Sequence, residues 1–170
     1  MTDASAQPDV LRLRDVSWEQ VAHLFARFEL RLIAVPDGHG IPGSYWGECE
    51  AGVIGSDVYA RADTPVHSLL HEACHLLVLA PERRAKVHTD ATDSIDEEDA
   101  TCYLQILLAD ELPEVGAQRL MADMDAWGYS YRLGSTRAWF EQDAENARDW
   151  LLACRWLDGV QAIQRDPPSR

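Results

Sequence analysis

The stretch Asp63-Thr64-Pro65-Val66-His67-Ser68-Leu69-Leu70-His71-Glu72-Ala73-Cys74-His75-Leu76-Leu77-Val78-Leu79-Ala80 decides how this chain folds. An N-cap oxygen from Asp63 or Thr64, beside a proline at the first helical position, opens a helix, and Pro81 closes it. The spacing predicts a helix over 65–79. Val66, Leu69, Leu70, Ala73, Leu76, Leu77 and Ala80 form its apolar face, and the opposite face carries His71 and His75. At 100° per residue, positions i and i+4 lie only about 40° apart, so both imidazoles point toward one spot. Two neutral imidazoles there suit a zinc ion. Glu72 sits about 100° round from His71, where it can reach the metal's open position without being a ligand, as a general base must. The plainer alternative is a helix whose histidines only pack or face water.

A catalytic zinc takes three protein ligands and a water, so a third must come from elsewhere. Ile95-Asp96-Glu97-Glu98-Asp99-Ala100-Thr101-Cys102-Tyr103 opens the next helix, expected over 96–110. A helical hairpin can return either Glu97 or Glu98 to the metal, while Asp96 and Asp99 suit the positive end of the helix dipole. His67 lies on the same face as His71 and His75, but the outer pair of that row is about 12 Å apart by helix rise, too far to share one ion. It reads as a cleft wall or a hydrogen-bonded residue. Cys74 reads as a small packed hydrophobe.

His71-Glu72-Ala73-Cys74-His75 followed by a Glu-x-x-Ala on a later helix resembles the gluzincin metallopeptidases, the thermolysin-like group whose third ligand is Glu. More narrowly, Glu97-Glu98-Asp99-Ala100-Thr101-Cys102-Tyr103-Leu104-Gln105-Ile106-Leu107-Leu108 resembles the Glu-x-x-Ala-Asn-x-Phe-Ala-x-x-Leu-Leu helix of ImmA/IrrE-like peptidases. The resemblance covers about residues 51–113. It implies Zn²⁺ held by His71, His75 and Glu97, which stands three residues before Ala100, with Glu98 the next choice. It also implies Glu72 as the catalytic base, a peptide or protein substrate, and a strand from Val53 to Arg61 along which an extended substrate can pair. The chain departs from the family pattern at Thr101, where Asp or Asn is usual, and at Leu107-Leu108-Ala109-Asp110 in place of Leu-Leu-Met-Pro. No helix-turn-helix segment is evident.

Around this centre the pattern predicts an α+β fold, a single compact and mainly helical zincin-like domain with a small antiparallel sheet. Ser17 and Gln20 form a capping-box signature for a helix over 17–28, and Leu30 to Ala34 suggests a short strand. A Gly-rich loop follows through Gly38, Gly40, Gly43 and Gly47. Val53-Ile54 and Val58-Tyr59-Ala60 flank Gly55-Ser56-Asp57 as a hairpin or bulged strand. Two further helices are expected over 114–127 and 136–158, the second with an apolar stripe through Phe140, Ala144, Ala147, Trp150, Leu151, Cys154 and Leu157. Residues 1–9 and 166–170 read as loose ends.

Composition bounds the partners. With 15 Lys+Arg against 29 Asp+Glu the formal charge is -14, which opposes binding to nucleic acid or an anionic membrane surface. Six acids and no base fall between Asp90 and Asp99, which points to a preference for basic substrates. The four cysteines, at 49, 74, 102 and 154, form no C-x-x-C pair and read as free thiols. With no secretory signal pattern in Met1 to Pro8 and no apolar run of bilayer length, a cytoplasmic location is the expectation. Tyr103, Tyr129, Tyr131, Arg132 and His88 are all chemically able to stabilise an oxyanion, and the sequence does not rank them. Ser44-Tyr45-Trp46-Gly47 and Trp127-Gly128-Tyr129 can equally be aromatic plugs or parts of a site.

Overall fold

Ser17 opens the first helix, its hydroxyl accepting from the Gln20 amide at 3.3 Å, and α1 runs over Trp18–Ala26 with Val21, Leu24 and Phe25 buried. The computed structural model describes residues 7–89, 94–157 and 163. Along them follow β1 (Arg31–Val35), β2 (Gly52–Ile54), β3 (Asp57–Arg61), α2 (Val66–Val78), α3 (Pro81–Arg84), α4 (Ile95–Ala109), α5 (Ala117–Trp127), α6 (Thr136–Gln142) and α7 (Glu145–Ala153). The fold is α+β, mainly helical, with one small sheet. Residues 1–6 and 166–170 of the expected loose ends, and 90–93 of the acidic run, lie outside the described residues.

The sheet is mixed rather than antiparallel. β2 and β3 form the expected hairpin, with Val53 opposite Val58, but β1 joins β3 in parallel, in register from Arg31 with Asp57 to Val35 with Arg61. Parallel partners need a long crossover, and the loop from Pro36 to Ala51 together with β2 supplies it. Strand order β1-β3-β2 puts β3 in the middle. Consequently Val53 to Arg61 offers no free edge: β3 is paired on both sides, and the outer side of β2 is taken by Val53 N to Gly43 O (3.3 Å) and Thr89 N to Val53 O (3.0 Å). The expected pairing of an extended substrate with this strand has no backbone groups to use.

Helix α2 is the centre of the core. Every residue of it is buried except His71 and Glu72. It packs most extensively on α4, whose residues Ala100 to Ile106 are all buried, and one end also meets β2 and β3. The start of α2 differs from expectation. Pro65 is itself the N-cap, because the two candidate capping oxygens are used elsewhere: Asp63 binds the Arg61 guanidinium at 2.7 Å, and Thr64 Oγ1 accepts from the Arg61 amide at 2.9 Å. The last expected helix is also two. Asp143 leaves helical geometry with its carboxylate bound to the Arg132 guanidinium, which ends α6, and α7 stops at Ala153 short of the expected 158. Of its stripe, Ala144, Ala147, Leu151 and Leu157 are buried, and the rest are half-buried.

Two glycines hold the 43–50 loop against β2. A Cβ on Gly52 would sit 2.0 Å from the Pro42 carbonyl oxygen, and one on Gly43 would meet the Val53 oxygen at 2.4 Å. Both are backbone atoms that cannot swing aside. Gly52→Ala is therefore expected to destabilise the fold by roughly 2–3 kcal/mol, as overpacking against backbone does. The urea midpoint measures it, and an unchanged midpoint contradicts this packing.

Candidate metal centre

The two residues of α2 that escape full burial stand where α4 begins. Ser94 caps α4, accepting from the Glu97 amide at 3.4 Å, and its first turn carries Asp96, Glu97 and Glu98. Glu98 lies over the α2 imidazoles: Oε1 is 3.0 Å from His71 Nε2, and Oε2 is 3.0 Å from His75 Nε2. The two Nε2 atoms are themselves 3.0 Å apart. A tetrahedral zinc with bonds near 2.0–2.1 Å sets its ligand atoms about 3.3 Å from one another, so this triangle is close to one face of such a site. Two nitrogens and one carboxylate are also a donor set that suits zinc. Among the described residues this is the only group of His, Cys, Asp and Glu placed to hold a metal ion.

Glu98 rather than Glu97 thus completes the group that could hold a metal ion. Glu97 lies 100° further round the helix and binds Arg83 of α3 at 2.5 Å. Glu98 shares the α2-facing stripe with Gln105, seven residues on, and that shared stripe is the sequence signal that separates the two glutamates. Burial opposes ionisation of Glu98, but hydrogen bonds from His71 and His75 outweigh it and hold the carboxyl well below the usual carboxylate range. The third group is an anion.

Gln105 is fully buried and was not singled out in the sequence. Its Oε1 lies 2.6 Å from His71 Nδ1, and its Nε2 donates to the His67 carbonyl at 3.2 Å. With the amide anchored that way, Oε1 can only accept, so Nδ1 of His71 carries a proton and Nε2, the atom that faces Glu98, is the nitrogen left for a metal. Thr101 takes the corresponding place beside His75, with Oγ1 3.5 Å from Nδ1 while it donates to the Glu97 carbonyl at 2.7 Å.

A cleft of about 490 Å³ opens on His71, Glu72 and Glu98. Its other walls are Ser68 of α2, Trp46 and Glu50 from the Gly-rich loop, and Trp127, Gly128 and Tyr129 at the end of α5. Burial raises the Glu72 carboxyl above its usual range, against the pull of both imidazoles and with help from Glu98 and Glu50. Of the five oxyanion candidates only Tyr129 lines this cleft. Tyr103 stacks on Phe140, Tyr131 stacks on Trp139, Arg132 binds Asp143, and His88 lies beside Thr89. Gly128, at φ 111°, ends α5 and turns the chain so that the Tyr129 amide returns to the Met124 carbonyl at 3.0 Å. Burial pushes the Tyr129 phenol up, so it stays protonated.

His67 is buried, stands 3.3 Å from the Tyr129 hydroxyl, and is not part of the triangle. Cys74 is fully buried in the core, as expected. Glu50 was not singled out in the sequence; its Oε1 accepts from Trp127 Nε1 at 2.9 Å. The chain has no match among known protein families, curated proteins or solved structures. Among the described residues no helix is long and apolar enough to cross a membrane.

Two outcomes follow from this geometry. Glu98→Gln is expected to lower zinc affinity by about 10-fold or more while Glu97→Gln keeps it, read by competition with a chromophoric chelator. The reverse order returns the ligand role to Glu97. Burial, with the charges of His71 and Arg12, depresses the His67 imidazole to about 3, against 6.5 when exposed. The unfolded chain then binds the extra proton below pH 6.5, so this residue's contribution to stability is intact above that pH and falls steadily toward pH 3. Between pH 6.5 and 5 the loss is about 2 kcal/mol. His67→Phe should flatten that part of the pH profile of urea unfolding, and an unchanged slope contradicts the assignment.

Proposed function

We propose that this protein is a zinc-dependent hydrolase that cleaves peptide bonds. The observation that carries the reading is the triangle of His71, His75 and Glu98 facing a cleft that also holds Glu72 and Tyr129. Bound there, zinc would supply a Lewis acid and lower the pKa of a coordinated water toward ~7. Glu72 is the general base: its carboxylate accepts the proton of the attacking water and returns it to the leaving nitrogen. The Tyr129 hydroxyl is the donor for the oxygen that gains charge as water adds to the carbonyl. Gln105 holds the His71 tautomer that leaves Nε2 free for the metal.

The cleft supports a catalytic role over a closed structural or sensing site, because His71 and Glu98 both face it and no histidine or cysteine joins the three ligands among the described residues. A second reading is hydrolysis of a small amide. It is favoured by the paired edges of β2 and β3, which leave substrate recognition to side chains in the cleft.

Glu72→Gln is expected to retain one zinc per chain and to lower kcat by about 10²–10⁴-fold on a peptide library followed by mass spectrometry. Undiminished turnover in this variant, or wild-type protein that binds no zinc, overturns the proposal. Turnover confined to acyl amides of single amino acids selects the second reading.

A further inference from the structure

The cleft contains one carboxylate that the hydrolytic scheme does not use. Glu50 stands on its wall, across from the metal triangle, and its position is fixed from two sides. The amide of the next residue, Ala51, donates to the buried Ser68 hydroxyl of α2 at 3.0 Å, and Glu50 Oε1 accepts from Trp127 Nε1 at 2.9 Å. That bond occupies one carboxylate oxygen. Among the described residues no Lys, Arg or His forms an ion pair with Glu50; Arg12, whose guanidinium lies 5.7 Å over the Trp127 ring, donates to the Asp63 carbonyl at 2.7 Å.

The rest of the lining gives this carboxylate a purpose. No Lys or Arg lines the cleft, whereas two indole rings do, and one of them, Trp46, is 75% exposed at its mouth and meets Tyr45 edge-on at 5.0 Å. A large aromatic residue exposed beside a cleft marks contact with a ligand, and indole faces attract cations. An anion held rigid by an indole N–H, with a second indole at the rim, matches an ammonium or guanidinium in charge and in shape.

We propose that Glu50, oriented by Trp127 and flanked by Trp46, is the residue that determines specificity, binding a cationic group of the substrate. This rests on the hydrolytic reading for the word substrate, but not for the binding itself. Because strand pairing is closed to the substrate, this charge contact replaces it as the anchor that sets the scissile amide against Glu72. The cation is an N-terminal ammonium or a Lys or Arg side chain, and both present the same chemistry to Glu50.

The test separates binding from turnover. In zinc-loaded full-length protein, n-butylammonium at neutral pH is expected to shift the Trp127 indole N–H resonance, assigned by its loss in Trp127→Phe, while n-butanol does not. Glu50→Gln, which keeps an acceptor for the indole, is expected to abolish the shift. Four peptides of one sequence, with free or acetylated N-terminus and with Lys or norleucine, are then titrated against the Glu72→Gln protein. Those carrying the recognised cation are expected to bind about tenfold tighter, and Glu50→Gln to remove the difference. Which cation matters identifies the source. A shift of equal size with butanol, no shift with either probe, or discrimination that survives Glu50→Gln overturns the subsite, whatever the activity. Cation binding without hydrolysis by the wild-type protein leaves the subsite standing and removes the peptidase reading.

Discussion

A helix buried on nearly every side carries polar side chains at low cost only where partners stand beside them, and for His71 and His75 of α2 it is α4 that supplies those partners. His67, Ser68, His71, Glu72 and His75 all stand on a helix otherwise filled with Leu, Val, Ala and Cys. Ser68 is bound by the Ala51 amide, and His71 by Gln105. His75 lies beside Thr101, and both imidazoles meet Glu98. Three of these partners, Glu98, Thr101 and Gln105, come from one face of α4. The packing of two helices therefore does double service: it forms the core and it sets the spacing of the candidate ligands.

What could be read in the sequence follows from how local each signal is. The H-E-x-x-H helix, its limits to within a residue, the β2-β3 hairpin and the convergence of His71 and His75 all depend on short-range periodicity. The choice between Glu97 and Glu98 does not. It turns on which side of α4 faces α2, a tertiary fact hinted at only by the polar stripe through Gln105. The N-cap differs because Arg61 competes for both candidate oxygens, and the final helix is two because Asp143 leaves helical geometry, a break that no Pro or Gly signals in the sequence. Tyr129 is one of five unranked candidates in the sequence, and Glu50 lies beyond sequence pattern altogether: it meets Trp127 across 77 residues of chain. That contact is visible only once the loop is folded over the end of α5.

The loop itself shows why a site can sit on irregular chain and still be well placed. Between Gly43 and Gly52 the backbone approaches β2 more closely than any side chain would allow, so the segment bearing Trp46 and Glu50 is stitched to the sheet at both ends. Chain without regular structure is thereby given the positional definition of a strand.

Adjacent carboxylates at a metal site are a problem of choice, since Glu97 and Glu98 carry the same chemistry one residue apart. Arg83 resolves it by occupying Glu97 with a two-point contact on the far side of α4. A rotation of α4 by one position would bring Glu97 to the imidazoles, but it would break this ion pair and turn Gln105 away from His71. The short helix α3 thus adds a contact that is compatible only with the rotational setting the buried face of α4 already fixes. The exposed arginine that looks incidental to the centre keeps the second acid engaged away from the imidazoles.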